Sequence, residues 1–206
     1  MMSNLDLGIA AFESSNFAEA FELLLPLAQT ENLEAQKMIA YMYGVGQGVK
    51  MDISQAVKWY LPSAKQGDVI AQNNLATFLL HQNPEEAIKW LLAAAEQNFP
   101  FAQEVLGDIY SGQLNLSTNI EKKYKDYTKA FHWYSKAAKK GFPISCHRLG
   151  EMYANGQGVI KDNQKALEYY QLAASMGYEP SREAIEAAEQ AGNPLGFSLP
   201  DGTRVQ

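Results

Sequence analysis

Five alanines set the strongest limit on what this 206-residue chain can fold into. Ala20, Ala56, Ala87, Ala130 and Ala166 each stand four residues after an Asn or Asp, namely Asn16, Asp52, Asn83, Asp126 and Asp162. Each is followed fifteen residues later by a second small residue: Ala35, Ala71, Ala102, Ser145 and Ser181. That interval never varies, whereas the return interval to the next alanine runs 21, 16, 28 and 21. One rigid and one elastic spacing mark a stack of supersecondary units. The junction must hold register for neighbours to pack, while the opposite tip projects into solvent and tolerates insertion.

Within each unit the pattern is helical. The Asn or Asp is placed to cap a helix by accepting from a free first-turn N–H, and Glu19, Gln55 and Glu86 stand where a capping box would close on Asn16, Asp52 and Asn83. Pro84 occupies a first helical position. Three and four residues after each alanine come bulky pairs (Leu23 and Leu24, Trp59 and Tyr60, Trp90 and Leu91, Trp133 and Tyr134, Tyr169 and Tyr170), and eight residues after it another alanine returns. Offsets of three, four and eight define one helix face, so the three tryptophans read as inter-helix packing and not as an aromatic cage. Gly67, Asn98, Gly141 and Gly177 follow at the position of a left-handed C-cap, and only the first unit departs, with Glu31. These "B" helices alternate with "A" helices that carry the second small residue. Pro26 and Pro62, at one level in the first two B helices, predict a bend in both.

The consensus A-x3-[LI]-[GA]-x2-Y-x2-G-x-G-V-x2-D-x3-A-x2-[WY]-Y-x3-A-x2-G resembles the Sel-1-like repeat, a cousin of the tetratricopeptide repeat. Residues 35–67 and 145–177 carry it nearly complete; 71–98 and 102–141 match at their helices but not their loops; 5–31 is similar to a degenerate capping hairpin. The resemblance implies an all-α fold, a right-handed α-solenoid of about eleven helices in antiparallel pairs, with A helices lining its inner surface. It implies one repeat domain over residues 1–191, ending in a helix near 181–191 and followed by a tail at 192–206. It also implies a non-enzymatic adaptor that holds a protein or peptide partner. Some relatives are immunity proteins that neutralise a toxin, which is the alternative within binding proteins; a weak hydrolase or small-ligand-binding protein is the alternative of another class.

The residues able to do chemistry are few. "YGVGQGVKMD" at 43–52 has the glycines of a phosphate loop, but it recurs at 153–162, follows a helix instead of a strand, and does not open directly into the next helix, so it reads as a hairpin tip. A net charge of −6 supplies no broad basic field for nucleic acid. No apolar run is long or clean enough for a membrane span, and no basic leader precedes one, which sets the expectation of a cytoplasmic protein. The lone Cys146 forms no internal disulfide, and beside His147 it lacks an activating base. His81, His132 and His147 occupy three different repeat positions, so no cofactor or metal site is expected. Glu104 and Asp108, four apart on one A helix, read as a solvated or partner-facing acidic edge. The long tip at 112–126, with Lys122, Lys123 and Lys125 around Tyr124, reads as a solvated loop, and Phe197 and Leu199 in the tail are placed to cap the end helix.

By analogy with the tetratricopeptide groove, a partner would meet A-helix residues lying off the packing stripe: Lys37 and Tyr41; Asn73, Asn74 and Thr77; Glu104, Asp108 and Ser111; His147, Arg148 and Glu151. Neighbouring asparagines pair with the backbone of an extended peptide, and mixed charges on either side fix its register.

Overall fold

A computed structural model describes residues 2–114, 116 and 118–190, which form twelve helices and no strand. They fall into two compact units, Met1–Gln97 and Asn98–Gln206. The first holds α1 (Asn4–Glu13), α2 (Phe17–Gln29), α3 (Leu33–Val45), α4 (Ile53–Lys65), α5 (Val69–Leu79) and α6 (Pro84–Glu96). The second holds α7 (Pro100–Ser111), α8 (Thr118–Tyr124), α9 (Tyr127–Ala138), α10 (Pro143–Asn155), α11 (Asn163–Ser175) and α12 (Glu179–Gln190). Inside each unit every helix packs on the next along the chain, except that α9 passes over the short α8 to pack on α7. The twelfth helix is α8: the tip expected to be loop contains a seven-residue helix. The tail, with Phe197 and Leu199, lies outside the described residues.

The alanine ladder is the core. All ten small residues separated by fifteen positions are fully buried. Small side chains at both ends of each junction let two helix backbones approach, and the bulky residue four positions after each alanine (Leu24, Tyr60, Leu91, Tyr134, Tyr170) fills the space beside them. The residue one position earlier flanks this core: Trp133 is buried, whereas Trp59, Trp90 and Tyr169 are half-exposed. Close approach is tightest at Gly44, where a Cβ would lie 2.1 Å from the Phe78 ring, and recurs at Gly107, 2.4 Å from the Tyr134 ring, and at Gly150, 2.8 Å from Tyr170. Pro26 and Pro62 sit within α2 and α4, which run on past them.

Four of the five expected caps form: Asp52, Asn83, Asp126 and Asp162 accept from first-turn N–H groups at 3.0–3.3 Å. Asn16 does not cap. Its side-chain amide instead donates to Glu19. Glu86 likewise accepts from the Asn83 side-chain amide at 2.9 Å, and the complete capping box is at Ser3 and Asp6 in α1. Gly67, Asn98, Gly141 and Gly177 adopt positive φ as expected, and so does Glu31, at 65°. The first unit keeps the left-handed conformation without the residue that favours it.

The glycine tips are architectural. Gly46 and Gly48 both have positive φ, and a Cβ on Gly48 would lie 2.4 Å from the Phe17 carbonyl oxygen. Gly156 and Gly158 repeat this, with Gly158 against the Tyr127 carbonyl. Each tip closes when the N–H of the capping Asp donates to the carbonyl of a tyrosine, Asp52 to Tyr43 and Asp162 to Tyr153.

Candidate functional site

In the first unit, residues of α1, α3, α4 and α5 enclose an open groove of about 300 Å³ lined by Phe12, Glu34, Lys37, Met38, Tyr41, Tyr60, Ile70 and Asn74. Three of the sequence-predicted residues, Lys37, Tyr41 and Asn74, meet here. The walls are mostly apolar: Tyr41 and Ile70 are 40% and 53% exposed, and Phe12 meets Tyr41 edge to face. Lys37 bridges Glu34 and Asp68, both at 2.9 Å. Partial burial works against its charge, but the two carboxylates outweigh it and raise the lysine above its ordinary pKa. The Asn74 amide donates to the Tyr60 hydroxyl at 3.1 Å, and burial pushes that phenol up to about 12. Asn73 sits beside Asn74, and Thr77 is exposed but donates to the Asn73 carbonyl.

In the second unit, the predicted residues are engaged by their own neighbours. Tyr134 of α9 donates to the Asp108 carboxylate at 2.7 Å and shares a hydrogen bond with Ser111 at 2.9 Å. Ser145 donates to Glu104 at 2.9 Å, and Arg148 donates to Glu151 at 2.8 Å. Burial raises both Glu104 and Asp108 above the ordinary carboxylate range despite these donors, with Asp108 adding repulsion at Glu104. At Glu151 burial is outweighed by His147 and Arg148, which hold it low. His147 is buried: its Nδ1 meets the Ser181 hydroxyl at 2.8 Å and its ring packs on Tyr170 and Tyr178. It therefore presents no ring to a partner, a correction to its expected role. Cys146 is also buried, and burial raises its thiol pKa, which disfavours the nucleophilic thiolate.

Lys37, Glu104 and His147 share one repeat position, two residues after the small residue. Each reaches the start of the next A helix in its unit: Asp68, Ser145 and Ser181. These are links between repeats. A second recurrent polar link follows the small residue directly. Buried Gln36 and Gln72 donate to the carbonyls of Ala28 and Ala64 in the last turn of the preceding B helix, at 3.0 and 3.1 Å, satisfying acceptors that a helix end leaves open. The recurrence of Gln36, Gln72 and Gln103 at one repeat position is the sequence signal for it. No group of three or more His, Cys, Asp or Glu placed to hold a metal occurs among the described residues, and none of their helices is long and apolar enough to cross a membrane.

Comparison with known proteins adds the context. The family model described as Sel1 repeat matches residues 33–68, 69–99, 100–142 and 143–178. An uncharacterized protein of Neisseria meningitidis serogroup B, NMB1327, is 35% identical over 144 residues, 70% of this chain but only 29% of that protein's length. The chain thus spans under a third of that relative. A Sel1 repeat protein from Oxalobacter formigenes superposes with a TM-score of 0.77 at 29% identity, covering 94% of this chain and 76% of that one. The Escherichia coli protein c5321, described as a protective antigen of uropathogenic strains with an SLR fold, gives a TM-score of 0.80 at 30% identity over 92% of this chain and 41% of its own.

Proposed function

This chain belongs to the Sel1 repeat family, and from that premise we propose that it is a non-enzymatic interaction module whose A-helix surface binds a protein or peptide partner. The observation that carries this reading is the groove of the first unit. Lys37, Tyr41 and Asn74, chosen for lying off the packing stripe, gather around one apolar hollow with Phe12, Met38 and Ile70. Exposed aromatic and aliphatic walls supply area, and an amide and a paired lysine at the rim supply direction, the composition of a site that takes a side chain from an extended or helical segment. In the second unit Asp108 and Glu104 accept from Tyr134 and Ser145 of other helices and Glu151 accepts from Arg148 within α10, which favours the groove as the recognition surface.

The test is affinity capture of partners from the native host, wild type against Tyr41→Arg with Ile70→Arg. Both positions are exposed enough for the change to leave the fold intact. One protein retained by wild type and lost by the variant supports the reading and names the partner, a cognate toxin included. The same set retained by both refutes the groove assignment.

A further inference from the structure

The opposite surface of the second unit carries a feature that the A-helix reading does not use. Between the B helices α9 and α11 lies a hollow of about 470 Å³ bounded by Phe131, Ser135, Ala138, Lys139, Tyr169 and Leu172. Its walls are apolar, and Leu172 is 45% exposed. The hollow continues past Tyr169 and Leu172 into a second one, where Tyr169 stacks on Tyr153 at 5.6 Å and Lys165 lies over the Tyr153 ring. At its floor the Ser135 hydroxyl is buried without a hydrogen-bond partner.

The charge on the α9 side of this hollow is of one sign. Helix α9 contains no acidic residue; it carries Lys129 and Lys136 and is followed by Lys139 and Lys140. Among the described residues Lys136, Lys139 and Lys140 make no ion pair, whereas Lys129 and Lys165 hold Asp126 and Asp162 loosely at 3.6 Å. Glu168, on the α11 side, lines the adjoining hollow and accepts from the neutral Gln164 amide at 3.4 Å, so the positive edge is the α9 side. Lys136 lies over the Trp133 ring at 4.7 Å, a contact that leaves its charge in place, and in a chain of net charge −6 a run of lysines without carboxylate partners beside an exposed apolar hollow is a local reversal of sign. Complementary charge of this kind sets partner choice and approach, and the hollow supplies the contact.

We propose that the α9–α11 surface is a second docking site, which takes an acidic segment of a partner protein by inserting one bulky apolar side chain between Phe131 and Leu172 while flanking carboxylates meet Lys136 and Lys139. A nucleic acid fits it poorly. Of the α9 lysines Lys139 borders the hollow, too few cations at the contact to track a backbone, and Tyr153 and Tyr169 stack on each other, not outward as a platform for bases.

The experiment is selection of a random twelve-residue displayed peptide library on the full chain, followed by fluorescence anisotropy of the enriched peptides. Four proteins are compared: wild type, Leu172→Glu, Lys136→Glu with Lys139→Glu, and the groove variant Tyr41→Arg with Ile70→Arg. A single-stranded oligonucleotide is titrated in parallel. The expected result is enrichment of peptides with Asp or Glu beside Leu, Phe or Trp. Their affinity should fall about tenfold or more in both α9–α11 variants, weaken with added salt, and be unchanged in the groove variant. The two charge reversals are at surface positions, so loss there with helical circular dichroism retained does not reflect unfolding. The proposal is overturned if no peptide is enriched, if those enriched lack acid, if only the groove variant weakens them, or if the oligonucleotide is the ligand that the lysine reversals abolish. Loss in the groove variant alone would leave the first reading standing and remove this one.

Discussion

Removing one oxygen tests how the second unit is held together. Tyr134→Phe keeps the ring that packs into the notch at Gly107 and deletes the hydroxyl that donates to Asp108 at 2.7 Å and meets Ser111 at 2.9 Å. Hydrogen bonds to charged groups contribute about 1.5–3 kcal/mol. Asp108 is half-buried, so water partly replaces the lost donor, and the cost falls in the lower half of that range, about 1.5–2 kcal/mol. Urea unfolding followed by tryptophan fluorescence reads it, in a Trp59→Phe, Trp90→Phe background that leaves Trp133 on the same helix as reporter. The bond is strongest while Asp108 is ionised. The cost of Tyr134→Phe should therefore shrink as pH falls through the Asp108 pKa, which burial has raised above the ordinary aspartate range. A double-mutant cycle with Asp108→Ala should recover most of the cost as coupling. A loss below about 0.5 kcal/mol, or an equal loss with Asp108 already gone, would show that the hydroxyl does not act through this carboxylate.

Two further outcomes follow from the same geometry. Glu31→Gly should stabilise the first unit by about 1 kcal/mol in urea unfolding, because Glu31 holds a φ of 65° that glycine adopts without a Cβ clash; a destabilised variant would mean the Glu31 side chain contributes more than the strain costs. Asp108→Asn should gain stability relative to wild type between pH 4 and pH 7. A carboxyl whose folded pKa is raised stabilises the fold below its unfolded pKa and loses that contribution as pH rises through the folded value, a loss the amide cannot suffer; a pH-independent difference would refute the raised pKa.

What the sequence revealed and what it hid have physical causes. The frame was legible because a stack of helix pairs leaves no freedom at its closest approaches: Ala20 through Ser181 had to be small at a fixed interval, and repetition makes such a constraint visible in one chain. Helix α8 was not legible, since a seven-residue helix in an insertion has no second copy to reveal its period. The site was half legible. The off-stripe A-helix residues included Lys37, Tyr41 and Asn74 but not Phe12, Met38 and Ile70, because nothing in the repeat pattern separates an apolar residue that walls a groove from one that fills the core.

The error at His147 has a signature in the sequence. Where the small residue of an A helix is serine instead of alanine, a polar partner waits two positions after the small residue of the preceding A helix: Glu104 for Ser145 and His147 for Ser181. A hydroxyl at a position that otherwise demands only smallness is costly to bury alone, so its presence announces a bond. That bond removes its partner from the surface available to others. The serines therefore mark α7 and α10 as helices that spend one side chain on the hydroxyl of the next A helix, whereas α3, whose neighbouring small residue is Ala71, makes its link from Lys37 to Asp68 and keeps a face that borders the open groove.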